Sequence, residues 1–131
     1  AASNNRLDMF AEMRLASLLH KGANQDPTVL PAETVLKMGT INGAHALGLA
    51  DNIGSLEAGK KADLIMIDLN QSHLTPCFNP VSLLVYAARG SDVSDVMVNG
   101  EWLVRDGKLT KWDEEEIRKA ATRTAVDLVK R

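Results

Sequence analysis

The sequence predicts a chain of mixed α and β structure, with helices over residues 1–50, strands after that and a helix to finish. Three observations carry this reading. Leu7, Phe10, Ala11, Leu15, Leu18 and Leu19 recur at helical spacing, and Met9 and Met13 broaden the stripe. Residues 63–69 are almost continuously apolar and rich in isoleucine, the pattern of a strand covered on both faces. Asn99-Gly100 follows a partly alternating run at residues 93–98 and gives the strongest short-range hairpin signal.

Taken in order, Asn4 or Asn5 offers an N-cap for the first helix, and Asp8 adds negative charge to its first turn. His20, Lys21 and Gly22 end it with a basic last turn and then glycine. A polar loop containing Asp26-Pro27 leads to Pro31, which suits the first position of a second helix with Val35, Leu36 and Met38 on its buried side. Thr40 caps a short third helix over 41–47, stopped by Gly48. Gly54 and Gly59 supply turn positions around a short apolar segment ending at Leu56.

Residues 70–79 read as a linker punctuated by Pro76. Residues 80–88 read as a helix with Leu83, Leu84 and Ala87 inward and Gly90 as its stop. The strand at 93–98 returns through Asn99-Gly100 into 101–105. Asp106-Gly107 then turns the chain into 108–110, completing a three-stranded meander. Asp113 and Glu116 form a cap pair for the last helix, and Glu114/Arg118 and Glu115/Lys119 are favourable i,i+4 pairs. Its stripe of Ile117, Ala121, Thr124 and Leu128 is moderate, as for a surface helix. There is no internal repeat and no low-complexity tract.

Composition excludes some partners. Of 131 residues, 45% are hydrophobic and 24% charged, and the formal net charge is -2. Lys and Arg are scattered, so the expectation is no nucleic-acid partner. The longest apolar run, 64–67, is far too short to cross a bilayer, so no membrane partner is expected either. No signal-peptide pattern is visible. The lone Cys77 has no internal disulfide partner, which fits a reducing, cytoplasmic setting.

The side chains with chemistry are dispersed. His20, His45 and His73 stand 25 and 28 residues apart, with no His-x-His, His-Glu-x-x-His or Cys-x-x-Cys, so they make no metal site on their own. Asp63, Asp68, Asp92, Asp95 and Asp106 fall at turns and strand edges, where solvated or turn-forming roles outweigh acid–base work. Trp102 and Trp112 read as packing residues rather than a ligand cage.

The run IGSLEAGKKADLIMIDL at residues 53–69 is more specific than its local physics. It resembles the turn and strand that follow the barrel in the amidohydrolase superfamily of metal-dependent hydrolases. MGTINGAHALGLA at 38–50 is similar to the helix pair leading out of that barrel, and AASNNRLDMF at 1–10 to the segment after its last strand. The subgroup most resembled contains the 5-methylthioadenosine/S-adenosylhomocysteine deaminases and the triazine chlorohydrolases. In that family the segment corresponding to residues 1–10 follows a strand ending Gly-Thr-Asp-Gly. The abrupt start at Ala1, without an initiator Met, adds to the expectation that this is the C-terminal portion of a longer enzyme.

The resemblance implies a fold in two parts. Residues 1–50 would be the final helices of a (β/α)8 barrel, beginning in the loop after strand eight. Residues 51–131 would be part of a composite β-sandwich with a linker helix and a C-terminal helix. It also implies a divalent metal, zinc or iron, in the full-length enzyme, with none bound by this chain alone. The family's metal-bound hydroxide attacks a ring carbon bearing an amine, but its His ligands and strand-eight Asp have no counterpart in these residues. The chain alone would therefore be inactive, with no catalytic or metal residue of its own.

Ser3, Asn4 and Asn5 would line the substrate-side loop, because barrel enzymes carry their sites at the C-terminal ends of the strands. Helix capping, which uses the same residue types, is the competing role. The implied partners are the N-terminal barrel portion of the same enzyme, a small-molecule substrate, and further copies in a homo-oligomer. Three functional readings follow: hydrolytic deamination of a purine nucleoside-type or other nitrogen heterocycle, chlorohydrolase-type or other C–N hydrolysis, and a self-standing non-enzymatic interaction module. Isolated, such a segment would expose apolar surface and strand edges.

Overall fold

Asp8 starts the first helix. In the computed structural model, which describes residues 7–130, its carboxylate accepts the Phe10 and Ala11 N–H groups at 3.0 and 3.2 Å. Helix α1 (Met9–Asn24) follows directly. This corrects the expected cap at Asn4 or Asn5, which lie outside the described residues; Asp8 satisfies the exposed amides of the first turn. Gly22 does not end the helix either. The left-handed position falls on Gln25 (φ 51°), whose N–H turns back to Gly22 and Lys21. The Lys21 ammonium closes the loop by donating to the Pro27 and Val29 carbonyls at 2.6 and 2.8 Å.

Helix α2 (Ala32–Met38) begins one residue later than expected, with Pro31 outside it in extended conformation as the N-cap. Helix α3 (Ile41–Ala46) has Thr40 at its N-cap position as expected, but the Thr40 hydroxyl donates backward to the Leu36 carbonyl at 2.7 Å and makes no capping bond to α3. Helix α4 (Pro80–Tyr86) is started by the Asn79 side chain, which accepts the Ser82 N–H at 3.0 Å. The core lies where α1, α2 and α4 meet: Phe10, Met13, Ala32, Val35, Leu74, Val85 and Ala88. Leu74 belongs to a short 3-10 turn (Ser72–Leu74) inside the expected linker and is fully buried. In α4 the expected Leu83, Leu84 and Ala87 pack against the core and are partly buried, while Val85, which the sequence did not mark, is fully buried.

The second half forms one open antiparallel sheet in the order β1-β2-β3-β4. Its strands are β1 (Leu64–Ile67), β2 (Val93–Val98), β3 (Glu101–Arg105) and β4 (Lys108–Leu109). Both meander turns form as the sequence predicts. Asn99 and Gly100 have φ of 51° and 80°, Asp106 and Gly107 of 49° and 72°, the pairs of positive angles that match strand twist. The first hairpin tip is tied to the start of β1, since Asn99 N–H donates to Asp63 Oδ1 at 2.6 Å and Gly100 N–H to the Ala62 carbonyl at 3.1 Å.

The described residues do not cover strand β1 on both faces. It lies at the sheet edge, paired with β2, and Ile65 and Met66 are each about half exposed. Among the described residues there is neither a closed barrel nor a second sheet packed on this one. Helix α5 (Glu114–Val129) is capped by Asp113, which accepts the Glu115 and Glu116 N–H groups, and none of its residues is buried. Among the described residues, no helix is long and apolar enough to cross a membrane.

Candidate functional site

A buried carboxylate and an imidazole converge at the corner between α4 and β2. After Ala88 the chain makes a 3-10 turn (Gly90–Asp92) that turns the Asp92 carboxylate inward, leaving the residue only 6% exposed. Asp92 Oδ2 lies 2.9 Å from His73 Nε2 and accepts the Arg89 N–H at 2.9 Å. Burial pushes the Asp92 carboxyl up, but His73, the Arg89 backbone N–H and the Arg89 charge together outweigh it, so it stays below the usual carboxylate range. The charged form is the one this corner is built to hold.

The same corner touches α1. Arg14 Nη2 donates to the Ala88 carbonyl at 2.7 Å, and a Cβ on Gly90 would come within 4.0 Å of Asp8 Oδ1. Helix α1 is thus tied through Arg14 to the end of α4, and Asp8 lies near Gly90. Ser3, Asn4 and Asn5 themselves lie outside the described residues. Chemically the arrangement is a lock: one carboxylate oxygen is shared by an imidazole and a backbone amide, which fixes a loop rather than presenting a free base.

The other sequence candidates are not brought together. His20 is exposed near the end of α1 and His45 is exposed in α3. Asp63 accepts the Asn99 N–H, and Asp68 accepts from Asn70 N–H and Gln71 Nε2 at 2.9 and 2.8 Å. Asp95 takes the Ser94 hydroxyl at 2.6 Å and the Asp106 N–H at 3.2 Å, and these two bonds, the hydroxyl first, hold its carboxyl below the ordinary range. These are turn and strand-edge roles, as the sequence suggests. Arg105 sits 5.4 Å from the Trp102 ring centre, while Trp112 is about half exposed, so the two indoles form no cage. Among the described residues, no group of three or more His, Cys, Asp or Glu is arranged to hold a metal ion.

Sequence reasoning did not single out the His73–Asp92 pair. The partners are separated by 19 positions across a linker, a helix and a turn, and no local spacing marks them. The one available signal was a Gly-Ser-Asp run directly before a strand, where an Asp can close a turn on its own backbone.

Comparison with known proteins places this architecture. The Amidohydrolase family model matches residues 1–103. A 5-methylthioadenosine/S-adenosylhomocysteine deaminase of Moorella thermoacetica is 56% identical over 123 residues, 94% of this chain and 29% of its own length. A 5'-deoxyadenosine deaminase of Methanosarcina barkeri is 52% identical over 130 residues, 99% of this chain and 30% of its own. In structure, the zinc-bound adenosine deaminase of Xanthomonas campestris superposes with a TM-score of 0.95 at 38% identity, covering 99% of this chain and 30% of that one. An atrazine chlorohydrolase of Arthrobacter aurescens complexed with zinc gives 0.77 at 30% identity, covering 87% and 25%. The chain thus spans about 30% of the length of the curated relatives it matches, and with its α/β fold and the family model matched over most of its residues, it belongs to the amidohydrolase family.

Proposed function

We propose that this chain is the C-terminal portion of a metal-dependent aminohydrolase that removes an exocyclic amine from an adenosine-type nucleoside by hydrolysis. One observation carries the reading: identity of 56% and 52% to two such deaminases over almost the whole chain, against 30% to the chlorohydrolase. In this reading residues 1–50 are the last helices of a (β/α)8 barrel, and residues 51–131 belong to a composite β-sandwich with its linker and C-terminal helices. The Ser3, Asn4 and Asn5 side chains line the edge of the substrate site. This placement rests on the likeness of residues 1–10 to the segment that follows the last barrel strand in the family.

The described residues do not form a metal donor set, so no catalytic step is assigned to a metal on this chain. Its contribution is scaffold and site edge, and it is inactive alone. The working enzyme pairs it with the barrel portion of the same polypeptide, assembles as a homo-oligomer and works in the cytoplasm. The test is to purify the full polypeptide encoding these residues. Ammonia release is then assayed with 5'-deoxyadenosine, 5-methylthioadenosine and S-adenosylhomocysteine, and chloride release with atrazine. Ammonia from the nucleosides is the expected result. Chloride from atrazine without ammonia would transfer the chain to the chlorohydrolase branch, and neither product would favour the interaction-module reading.

A further inference from the structure

Helix α5 carries an apolar seam that none of the described residues buries. Ile117, Ala121, Thr124 and Leu128 follow at intervals of four, three and four residues, so they fall on one narrow face. Ile117 is 49% exposed and Leu128 65% exposed. Among the described residues, no strand or other helix packs extensively along α5. Elsewhere the helix carries charge, with Lys119 paired to Glu115 at 2.8 Å and Arg118 near Glu114 at 3.9 Å. Val126 and Val129 are exposed as well but lie off this line, so the seam is the longest apolar row on the helix.

Two further observations say what docks there. The family model stops at residue 103, so α5 lies beyond the matched core. The superposition on the Xanthomonas adenosine deaminase nevertheless reaches 0.95 over 99% of the chain, which leaves no room for a 16-residue helix of 131 to be displaced. The pose of α5 is therefore shared with that protein, which has more than two thirds of its length outside the match.

We infer that the Ile117–Leu128 seam of α5 is covered by the part of the same polypeptide that lies outside these 131 residues, making the helix a clasp between the two portions. The inference rests on the reading of this chain as part of a longer enzyme. A second copy is the weaker occupant. A stable dimer buries about 800 Å² on each partner, whereas this seam offers two large apolar side chains. Docking within one polypeptide avoids the translational and rotational cost of association, so a small seam suffices.

The experiment is amide hydrogen exchange on the full polypeptide, with native mass measured alongside. Wild type is compared with an Ile117→Asp/Leu128→Asp variant, an Ile117→Ala/Leu128→Ala variant and an Arg118→Ala control on the charged side. The expected result is protection across residues 118–129 in wild type and in the control. Exchange should be about tenfold faster or more in the aspartate variant, and intermediate in the alanine variant, which keeps the test readable if the aspartates prevent folding. Native mass stays constant throughout. Equal exchange in wild type and both variants would overturn the inference, since the seam would then be uncovered. Protection lost together with a drop in native mass would also overturn it, in favour of a second copy. Deamination is not the readout: protected α5 in a polypeptide that releases no ammonia keeps this inference and removes the proposed activity.

Discussion

Asp92 and His73 meet at 2.9 Å across the corner that joins the helical half of the chain to its sheet. Asp92 is nearly buried and also holds the Arg89 N–H, so both bonds fail together when the carboxylate is removed. Asp92→Ala is expected to cost about 2 kcal/mol at neutral pH, the typical penalty for leaving buried polar partners unsatisfied, read as a fall in the urea midpoint. The pH dependence has a definite sign. The folded-state carboxyl titrates below its unfolded value, so its stabilisation is complete above the unfolded pKa of about 3.9 and is lost as pH falls through the lower folded value. The gap between wild type and Asp92→Ala should therefore hold from neutral pH down to about pH 4 and narrow below it. A gap that is unchanged at lower pH would mean the carboxylate charge contributes nothing here.

Ser17 gives a second, independent pair. It is fully buried, and its hydroxyl lies 2.8 Å from both the Leu30 carbonyl and the Tyr86 hydroxyl. Leu30 itself sits at φ 46°, a strained angle for leucine that this bond helps to fix. Tyr86→Phe should cost about 1 kcal/mol and Ser17→Ala, which also loses the bond to Leu30, about 2 kcal/mol; the double variant should cost less than their sum, because both remove the Ser17–Tyr86 bond. Strict additivity in urea unfolding would show that the two hydroxyls do not interact.

Leu74 and Phe78 test how far a linker can be structural. Both fall in the stretch the sequence reads as a connection, yet Leu74 is fully buried in the core while Phe78 is 91% exposed. Leu74→Ala should cost about 3 kcal/mol through transfer and cavity terms. Phe78→Ala should stay within about 0.5 kcal/mol of wild type. Comparable losses at the two positions in thermal or urea unfolding would contradict the buried anchor.

What the sequence revealed, and what it withheld, follows from the range of each signal. The hairpins at Asn99-Gly100 and Asp106-Gly107 were legible because a two-residue turn demands positive φ from those residue types alone. The start of α5 was legible for the same local reason, an Asp placed to accept two backbone amides. The inward face of α4 was legible in part: Leu83 and Leu84 do pack on the core, but a seven-residue helix is too short for apolar periodicity to single out Val85 as its most buried residue. The exposure of Ile65 and Met66 was not legible, since an apolar run records that a strand can be buried, not which layers of this chain cover it. The His73–Asp92 lock is a tertiary contact and left no periodic trace. The proposed site edge at Ser3, Asn4 and Asn5 rests on the wording of the motif rather than on any described contact.

Gly54 and Gly59 separate two reasons for a glycine. Both have φ of 93°, so any other residue there is strained by its backbone alone. Their surroundings differ. A Cβ on Gly59 meets nothing within 4 Å, whereas one on Gly54 would stand 2.7 Å from the Ala44 Cβ and 3.0 Å from the Ile41 Cα. Ala44 is buried, and the helix backbone beneath it cannot give way as a flexible side-chain tip would. Gly59→Ala should therefore cost about 1 kcal/mol, from backbone strain. Gly54→Ala should cost about 2 kcal/mol more, because α3 must shift away from the turn. Urea midpoints of the two variants measure the difference directly. Equal losses would mean that α3 moves freely against residues 51–55, and that the turn leading into β1 is not held by the helix packed against it.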